Sequence, residues 1–416
     1  MLSILLPTFL ACFEKPIDLD PGVDPSILEE CEDIERLNIA DENILDVVDS
    51  NHEFAFDIYE ELRSTNDNVF LSPYSISTAL GMLHLGAAEN TEEQMSDMLG
   101  VFPEDSDSWH GGQGSLVQEF DLGNNCNYKL AVANRAYLQT GYSFQPTFLD
   151  DLRLHYNSEL GELDFADNPE AARSNINDWV AEKTNEHIPE LFPSGTITNS
   201  TKLVLTNAIY MDAPWQDSFD PANTHQGNFN LADGSTTTVD MMYRSEVRFS
   251  IGYQDDFQIV EIPYDGNDLV FTAIIPHDSD GLMAIEDRID LDNWNDWKSS
   301  MYMTEGEVSM PKFEMRYKEI LNDTLKKLGM TDAFSDAANF SGISEEGAPK
   351  VNVVVHEAWL KVSEEGTEAA AATGVGVTDT SIGDAIYMNR PFLFFIEDKL
   401  SGSILFMGKL ADPSQL

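Results

Sequence analysis

The chain reads as an α+β fold. Amphipathic helices crowd its first half, apolar strands its second, and no regular βαβ alternation joins them. That order predicts N-terminal helices packed on a large, mostly antiparallel main sheet, with further smaller sheets beside it. A hydrophobic content of 42% with 23 Phe and 6 Trp in 416 residues supplies the core for one large domain or two small ones. No internal repeat interrupts this pattern.

The first segment, residues 1–12 ("MLSILLPTFLAC"), is an apolar run too short to span a bilayer and about right for a signal h-region. The small residue before Cys12 resembles a bacterial lipoprotein signal, in which Cys12 is lipidated and becomes the mature N-terminus. The expected location is therefore extracellular, periplasmic or anchored to the cell envelope, with membrane contact only through that lipid. Residues 13–43 carry many acids and several prolines and read as an acidic, poorly ordered tether. Cys31 and Cys126 remain, and their spacing leaves open whether they pair or stay free.

The globular pattern begins at Ile44 and runs through residue 416. In "NVFLSPYSISTALGMLHLGAAENTEEQMSDMLG" a Ser-Pro break precedes Ile76, Leu80, Leu83 and Leu85 at near-helical spacing. Gly86 stops that helix, and Thr91-x-x-Gln94 reads as a capping box opening the next. "SNINDWVAEKTNEHIPEL", Ser174–Leu191, is expected as one amphipathic helix. Strands are expected at "KLVLTNAIYM", "FQIVEIPY", "LVFTAIIP", "VNVVVHEAWLKV", "FLFFI" and "SILFMGKL", the last two joined by the hairpin turn "EDKLSG".

The charge balance excludes whole classes of partner. With 23 Lys plus Arg against 74 Asp plus Glu, the net charge is -51. Such a surface repels nucleic acid, anionic lipid and heparin-type polyanions. The acids are dispersed rather than gathered in a tail, which suits solubility in a salty medium where screening removes self-repulsion.

Catalytic signatures are missing as well. The sequence has no G-x-S-x-G elbow, no H-E-x-x-H, no Walker loop and no G-x-G-x-x-G after a strand. "ATGVGVTD" lacks the lysine a phosphate loop needs, and no Cys/His grouping has metal spacing. Neither an enzyme nor a cofactor or metal is expected. His356 shares a face of its strand with Val354, Ala358, Leu360 and Val362, the usual setting of a satisfied core histidine.

The unusual stretch is Lys361–Phe392, small and featureless between two strongly apolar strands. Loops that long in a compact domain are usually functional or disordered. With period two, Thr367, Ala369, Ala371, Thr373, Val375 and Val377 share one face, all small or β-branched and uncharged. Glu368, Ala370, Ala372, Gly374, Gly376 and Thr378 take the other. The segment is thus written as a half-buried strand about 37 Å long at strand rise, although an Ala/Gly-rich passive linker fits the pattern too. Folding back through Glu364-Glu365-Gly366 would set it antiparallel beside the strand ending at Val362, with Gly366 as the flexible residue of the fold.

"EEGTEAAAATG" resembles the hinge of inhibitory serpins, here Glu364, Glu365, Gly366, Thr367, Glu368, Ala369, Ala370, Ala371 and Ala372. "YMNRPFLFFI" and "ILFMGKLADPSQ" are similar to that family's signature and C-terminal strand. "NVFLSPYSISTALGMLHLGA", "LTNAIYMDAPW" and "VVVHEAWLKV" match further segments in the family's order, so the resemblance covers residues 44–416.

The resemblance implies the serpin fold with an exposed reactive-centre loop at about 364–390. It also implies suicide-substrate inhibition. A serine protease cuts the loop, is held as an acyl-enzyme, and is deformed as the loop inserts into the main sheet. The partner would be one protease in a covalent 1:1 complex with a monomer. Family spacing puts the cut fourteen residues after Gly366, at Thr380-Ser381. Thr380 on the acyl side suits elastase-like or subtilisin-like targets, and cutting after Asp379 would suit an acid-preferring protease. Ser72, Ser75, Asn207 and His356 match the family's shutter beneath the main sheet, and Trp215 its breach. The family's basic heparin-binding helix has no counterpart, because "SDMLGVFPEDSDSW" is acidic. Two alternatives share the fold: a non-inhibitory serpin acting as a binding or carrier module, and a cross-class inhibitor of cysteine proteases.

Overall fold

A computed structural model describes residues 42–416 apart from 65–66, 103–104, 124–127, 142, 159, 345–349 and 368–383. Its first half is helical between short strands: α1 Glu42–Leu62, β1 Val69–Leu71, α2 Pro73–His84, α3 Glu89–Leu99, α4 Ser106–Gly123, β2 Lys129–Gln139, α5 Pro146–Tyr156, β3 Gly161–Leu163 and α6 Pro169–Lys183. Strands then take over: β4 Leu203–Pro214, β5 His225–Asn230, β6 Thr236–Tyr253, β7 Phe257–Pro263 and β8 Leu269–Pro276. Two short helices, α7 Leu282–Glu286 and α8 Leu291–Ser299, precede β9 Tyr302–Pro311, β10 Phe313–Ile320 and α9 Asn322–Lys327. The chain closes with β11 Val353–Val362, β12 Gly366–Thr367, β13 Asp384–Tyr387, β14 Phe392–Asp398 and β15 Ile404–Leu410. The α+β class read from the sequence holds.

The strands form two sheets. Nine run β1-β15-β14-β8-β7-β6-β9-β13, with β5 on β6. Six run β10-β11-β12-β4-β2-β3. In the six-stranded sheet β11 pairs directly with β4, in parallel, from Val353↔Val204 to Trp359↔Tyr210. Beyond that point the two strands part, and β12 lies between them, antiparallel to both. Parallel pairing is slightly weaker per residue than antiparallel, so this central seam is weaker per residue than the antiparallel ladders that flank it, β10–β11 and β4–β2.

One large core fills the space between the sheets and α1–α5, and takes in Phe70, Leu205, Ile209, Ala358, Leu360 and Phe394. A smaller one covers the outer face of the six-stranded sheet, where Ile176 and Val180 of α6 meet Tyr137, Ala208, Tyr210 and Trp359. Both faces of the seam are therefore buried, the inner under α2 and the outer under α6.

Two local expectations fail for definable reasons. The Thr91–Gln94 capping box is not formed, because α3 already begins at Glu89 with Ala88 as its cap. The Thr91 hydroxyl instead accepts from Asn339 N–H, and Gln94 Oε1 from the N–H groups of Thr331 and Asp332. The helix expected to reach Leu191 ends at Lys183. Asn185 and Glu186 both adopt left-handed backbone, with φ of 49° and 64°, and turn the chain out over the sheet.

Beneath the nine-stranded sheet a buried lysine joins three elements. Lys409, on β15, is 1% exposed and lies 3.2 Å from the Glu286 carboxylate of α7, which also accepts from Tyr59 of α1 at 2.5 Å. Lys409→Ala strands that carboxylate and should cost about 3–5 kcal/mol. Pairing Lys409→Met with Glu286→Gln should restore most of the loss, read from urea unfolding midpoints.

Candidate functional site

The site is the seam itself. Three polar residues stand in one row across it: Asn134 of β2 opposite Asn207 of β4, and Asn207 opposite His356 of β11. Ser72, the N-cap of α2, and Ser75 lie beneath them. Ser72 N–H donates to His356 Nε2 at 3.2 Å, so that nitrogen carries no proton. His356 Nδ1–H then donates to Asn207 Oδ1, directly across the seam. Asn207 Nδ2 donates to Ser75 Oγ at 2.7 Å and to Asn134 Oδ1 at 2.8 Å. Asn134 Nδ2 returns a bond to Ser75 O at 2.9 Å, and Ser72 Oγ donates to Leu405 O at 2.6 Å. The four residues expected to lie together do so, and Asn134 joins them.

His356 is fully buried, and desolvation lowers its pKa to about 3. A proton on Nε2 would face the Ser72 N–H, donor against donor. The imidazole is therefore neutral, and the network closes with a single tautomer.

Above this row lies the hinge. Glu364 is buried; desolvation pushes its pKa up, but hydrogen bonds from Lys312 and Thr224 outweigh that and hold it below the ordinary range. Lys312 Nζ lies 2.8 Å and Thr224 Oγ1 2.7 Å from its carboxylate. The backbone is fastened too: Phe219 N–H donates to Glu364 O at 2.7 Å, and Trp215 N–H to Glu365 O at 2.9 Å. Trp215 Nε1–H donates to Ser363 O at 2.9 Å, while its ring stacks on Tyr264 at 4.5 Å between centroids. Tyr264 OH in turn shares a 2.7 Å hydrogen bond with Thr367 Oγ1.

Gly366 and Thr367 are the first two residues of a strand in the seam, Thr367 opposite Val362 on one side and Ala213 on the other. The position requires glycine: φ is +155°, and a Cβ would lie 2.3 Å from Ala213 O and 2.5 Å from Pro214 Cα. Glu368, Ala369, Ala370, Ala371 and Ala372, the Thr380–Ser381 bond, Cys12, Cys31 and Cys126 lie outside the described residues.

The family model described as "Serpin (serine protease inhibitor)" matches residues 49–413. The leukocyte elastase inhibitor of Bos taurus is 38% identical over 378 residues, covering 88% of this chain and 98% of its own. Human Serpin B4 is 36% identical over 387 residues, covering 88% and 99% respectively. The crystal structure of human thyroxine-binding globulin complexed with thyroxine superposes with a TM-score of 0.80 at 28% identity, covering 89% of this chain and 99% of the other. The chain belongs to the serpin family.

Two outcomes follow from this geometry. Below pH 6.5 the unfolded chain takes up a proton that folded His356 refuses until about pH 3. Stability through this residue is therefore complete above pH 6.5 and is lost on acidification, by about 1.4 kcal/mol per unit. In thermal scans from pH 7 to 5, His356→Gln should melt lower at pH 7 and show a shallower pH dependence than the wild type. Gly366→Ala should drive Thr367 out of the sheet. Loss of the Tyr264 contact and of hydrogen-exchange protection at residues 363–367, with β2 and β4 still protected, would register it.

Proposed function

We propose that this chain is a single-use inhibitor of serine endopeptidases, which it traps by loop cleavage and strand insertion. The observation that carries this reading is the hinge, where Gly366 and Thr367 already occupy the seam as the start of an antiparallel strand. An antiparallel register keeps the sum of paired residue numbers constant. Extending it places Ala369 between Leu360 and Met211, and Ala371 between Ala358 and Ile209. Thr373 then falls between His356 and Asn207, and Val375 between Val354 and Leu205.

The chemistry of each position agrees with that path. Ala369, Ala371 and Val375 would meet the large apolar core, which tolerates no charge there. Thr373 would displace the His356–Asn207 hydrogen bond, and its hydroxyl can donate to one partner and accept from the other. On the outer face Ala370, Ala372, Gly374 and Gly376 are small enough to pass beneath α6. Insertion would exchange one parallel ladder for two antiparallel ones, a gain that supplies the driving force.

Covalent capture needs the acyl-enzyme to outlast insertion. Cleavage at Thr380–Ser381 would leave the protease on Thr380, thirteen residues beyond Thr367. A fully inserted strand of that length would carry it about 40 Å toward the far end of the sheet. Thr380 suits the shallow pocket of elastase-like or subtilisin-like enzymes, and the name of the leukocyte elastase inhibitor supports the first.

The test is a mixture with pancreatic elastase or subtilisin, boiled in SDS. A band at the summed mass is expected, and cleaved chain alone would count against the trap for those enzymes. Ala371→Asp, which buries an unpaired carboxylate at a cost of several kcal/mol, should raise the moles of inhibitor consumed per protease. The product should shift from adduct to cleaved chain.

A further inference from the structure

The seam carries a second closure on its outer face. Trp359 of β11 and Tyr210 of β4 are opposite each other in the last pair of the parallel ladder, their ring centroids 5.8 Å apart. His187 lies over both. Its imidazole is 4.2 Å from Trp359 and 4.5 Å from Tyr210, tilted only 26° and 16° from their planes. One ring thus bridges the two strands that a third strand would separate.

The segment that presents His187 is held from both sides. After α6 the left-handed pair Asn185 and Glu186 reverses the chain, and His187 N–H donates to Thr184 O at 2.9 Å. On the β10 side Arg316 donates to His187 O, and Lys318 Nζ lies 2.5 Å from Glu190 O. Both cations also pair with the buried Glu357 carboxylate of β11, at 2.8 and 3.0 Å. At the far end Asn177 of α6 bonds both the N–H and the C=O of Phe192. The imidazole is fixed over the seam rather than resting there on a free loop.

The insertion register gives the contact its meaning. In the path above, Ala370 falls between Trp359 and Tyr210. Inserting a strand there moves β11 and β4 apart by about 4.8 Å, so the imidazole can no longer lie against both rings. It is the first closure that an advancing loop meets, three residues beyond Thr367 and before Thr373 reaches the His356–Asn207 bond.

We propose that His187 is a positioning residue that sets the rate of loop insertion by bridging Trp359 and Tyr210 across the seam; this rests on the trap reading above. The bridge opposes insertion before cleavage and yields once the cut loop is driven forward. Each aromatic contact contributes modestly, so losing the bridge should speed insertion roughly tenfold.

The experiment compares wild type, His187→Ala and His187→Phe. Uncleaved protein is held below its melting temperature, and spontaneous insertion is followed as conversion to a urea-resistant form. His187→Ala should convert roughly tenfold faster than wild type, and His187→Phe, which keeps a ring over the seam, within about twofold of it. After nicking with subtilisin the bridge is already broken, so all three should unfold at the same urea concentration. A merely structural role would instead separate the variants in the nicked state. Equal conversion rates in the uncleaved state, or His187→Phe behaving like His187→Ala, would overturn the role of His187 and leave the trap standing. If nicked wild type gains no urea resistance, both fall.

Discussion

The His356–Asn207 hydrogen bond crosses the seam where β11 and β4 run in parallel, and the native arrangement depends on it. It spans the line along which the six-stranded sheet can be opened, and its closure needs a neutral imidazole in one tautomer. Ser72 fixes that tautomer from beneath, while Ser75 Oγ and Asn134 Oδ1 accept the two bonds donated by Asn207 Nδ2. His356, Asn207 and Asn134 are each satisfied by other members of the row, so the bonds form one connected network across the seam. In the proposed insertion, a strand arriving in the seam would need a replacement hydroxyl, and extending the register from Thr367 would bring Thr373 there.

Around this row the fold holds the seam closed while leaving its upper end ready. Trp215, Tyr264, Lys312 and Thr224 bind the hinge so that two residues are inserted, and the steric demand at Gly366 fixes where the strand begins. Lower down, apolar cores cover both faces. On the proposed trap reading, one end of the seam would admit a strand and the other would resist it. A sheet that would gain two antiparallel ladders on opening, but is kept from doing so, would on that reading store free energy for a cut in the loop to release.

Much of this was legible in the sequence, and what escaped has physical causes. The stretch Thr367–Val377 could be read as a strand because one period-two face is small and uncharged, a pattern that the proposed insertion would account for. The shutter could be matched only by resemblance, since Ser72, Ser75, Asn207 and His356 meet through strand register and not through spacing. Asn134 escaped because "KLAVANRAYLQ" mixes polar and charged residues into its strand, although an Asn in mid-strand is itself a signal. β6 was missed for a related reason: its first five residues are exposed or half-exposed, so no apolar run announces it. His187 was absorbed into a helix whose amphipathic pattern continues past Lys183, whereas Asn185 could have marked the stop.

The central claim is that the native sheet is metastable and accepts the loop as a further strand. Thermal unfolding of the intact chain against the same chain nicked once within residues 368–383 tests it most directly. The account predicts a large upward shift in melting temperature after nicking, with β-sheet content retained or increased. An unchanged or lower melting temperature would contradict it, because a sheet with no strand to gain has no means of holding a protease.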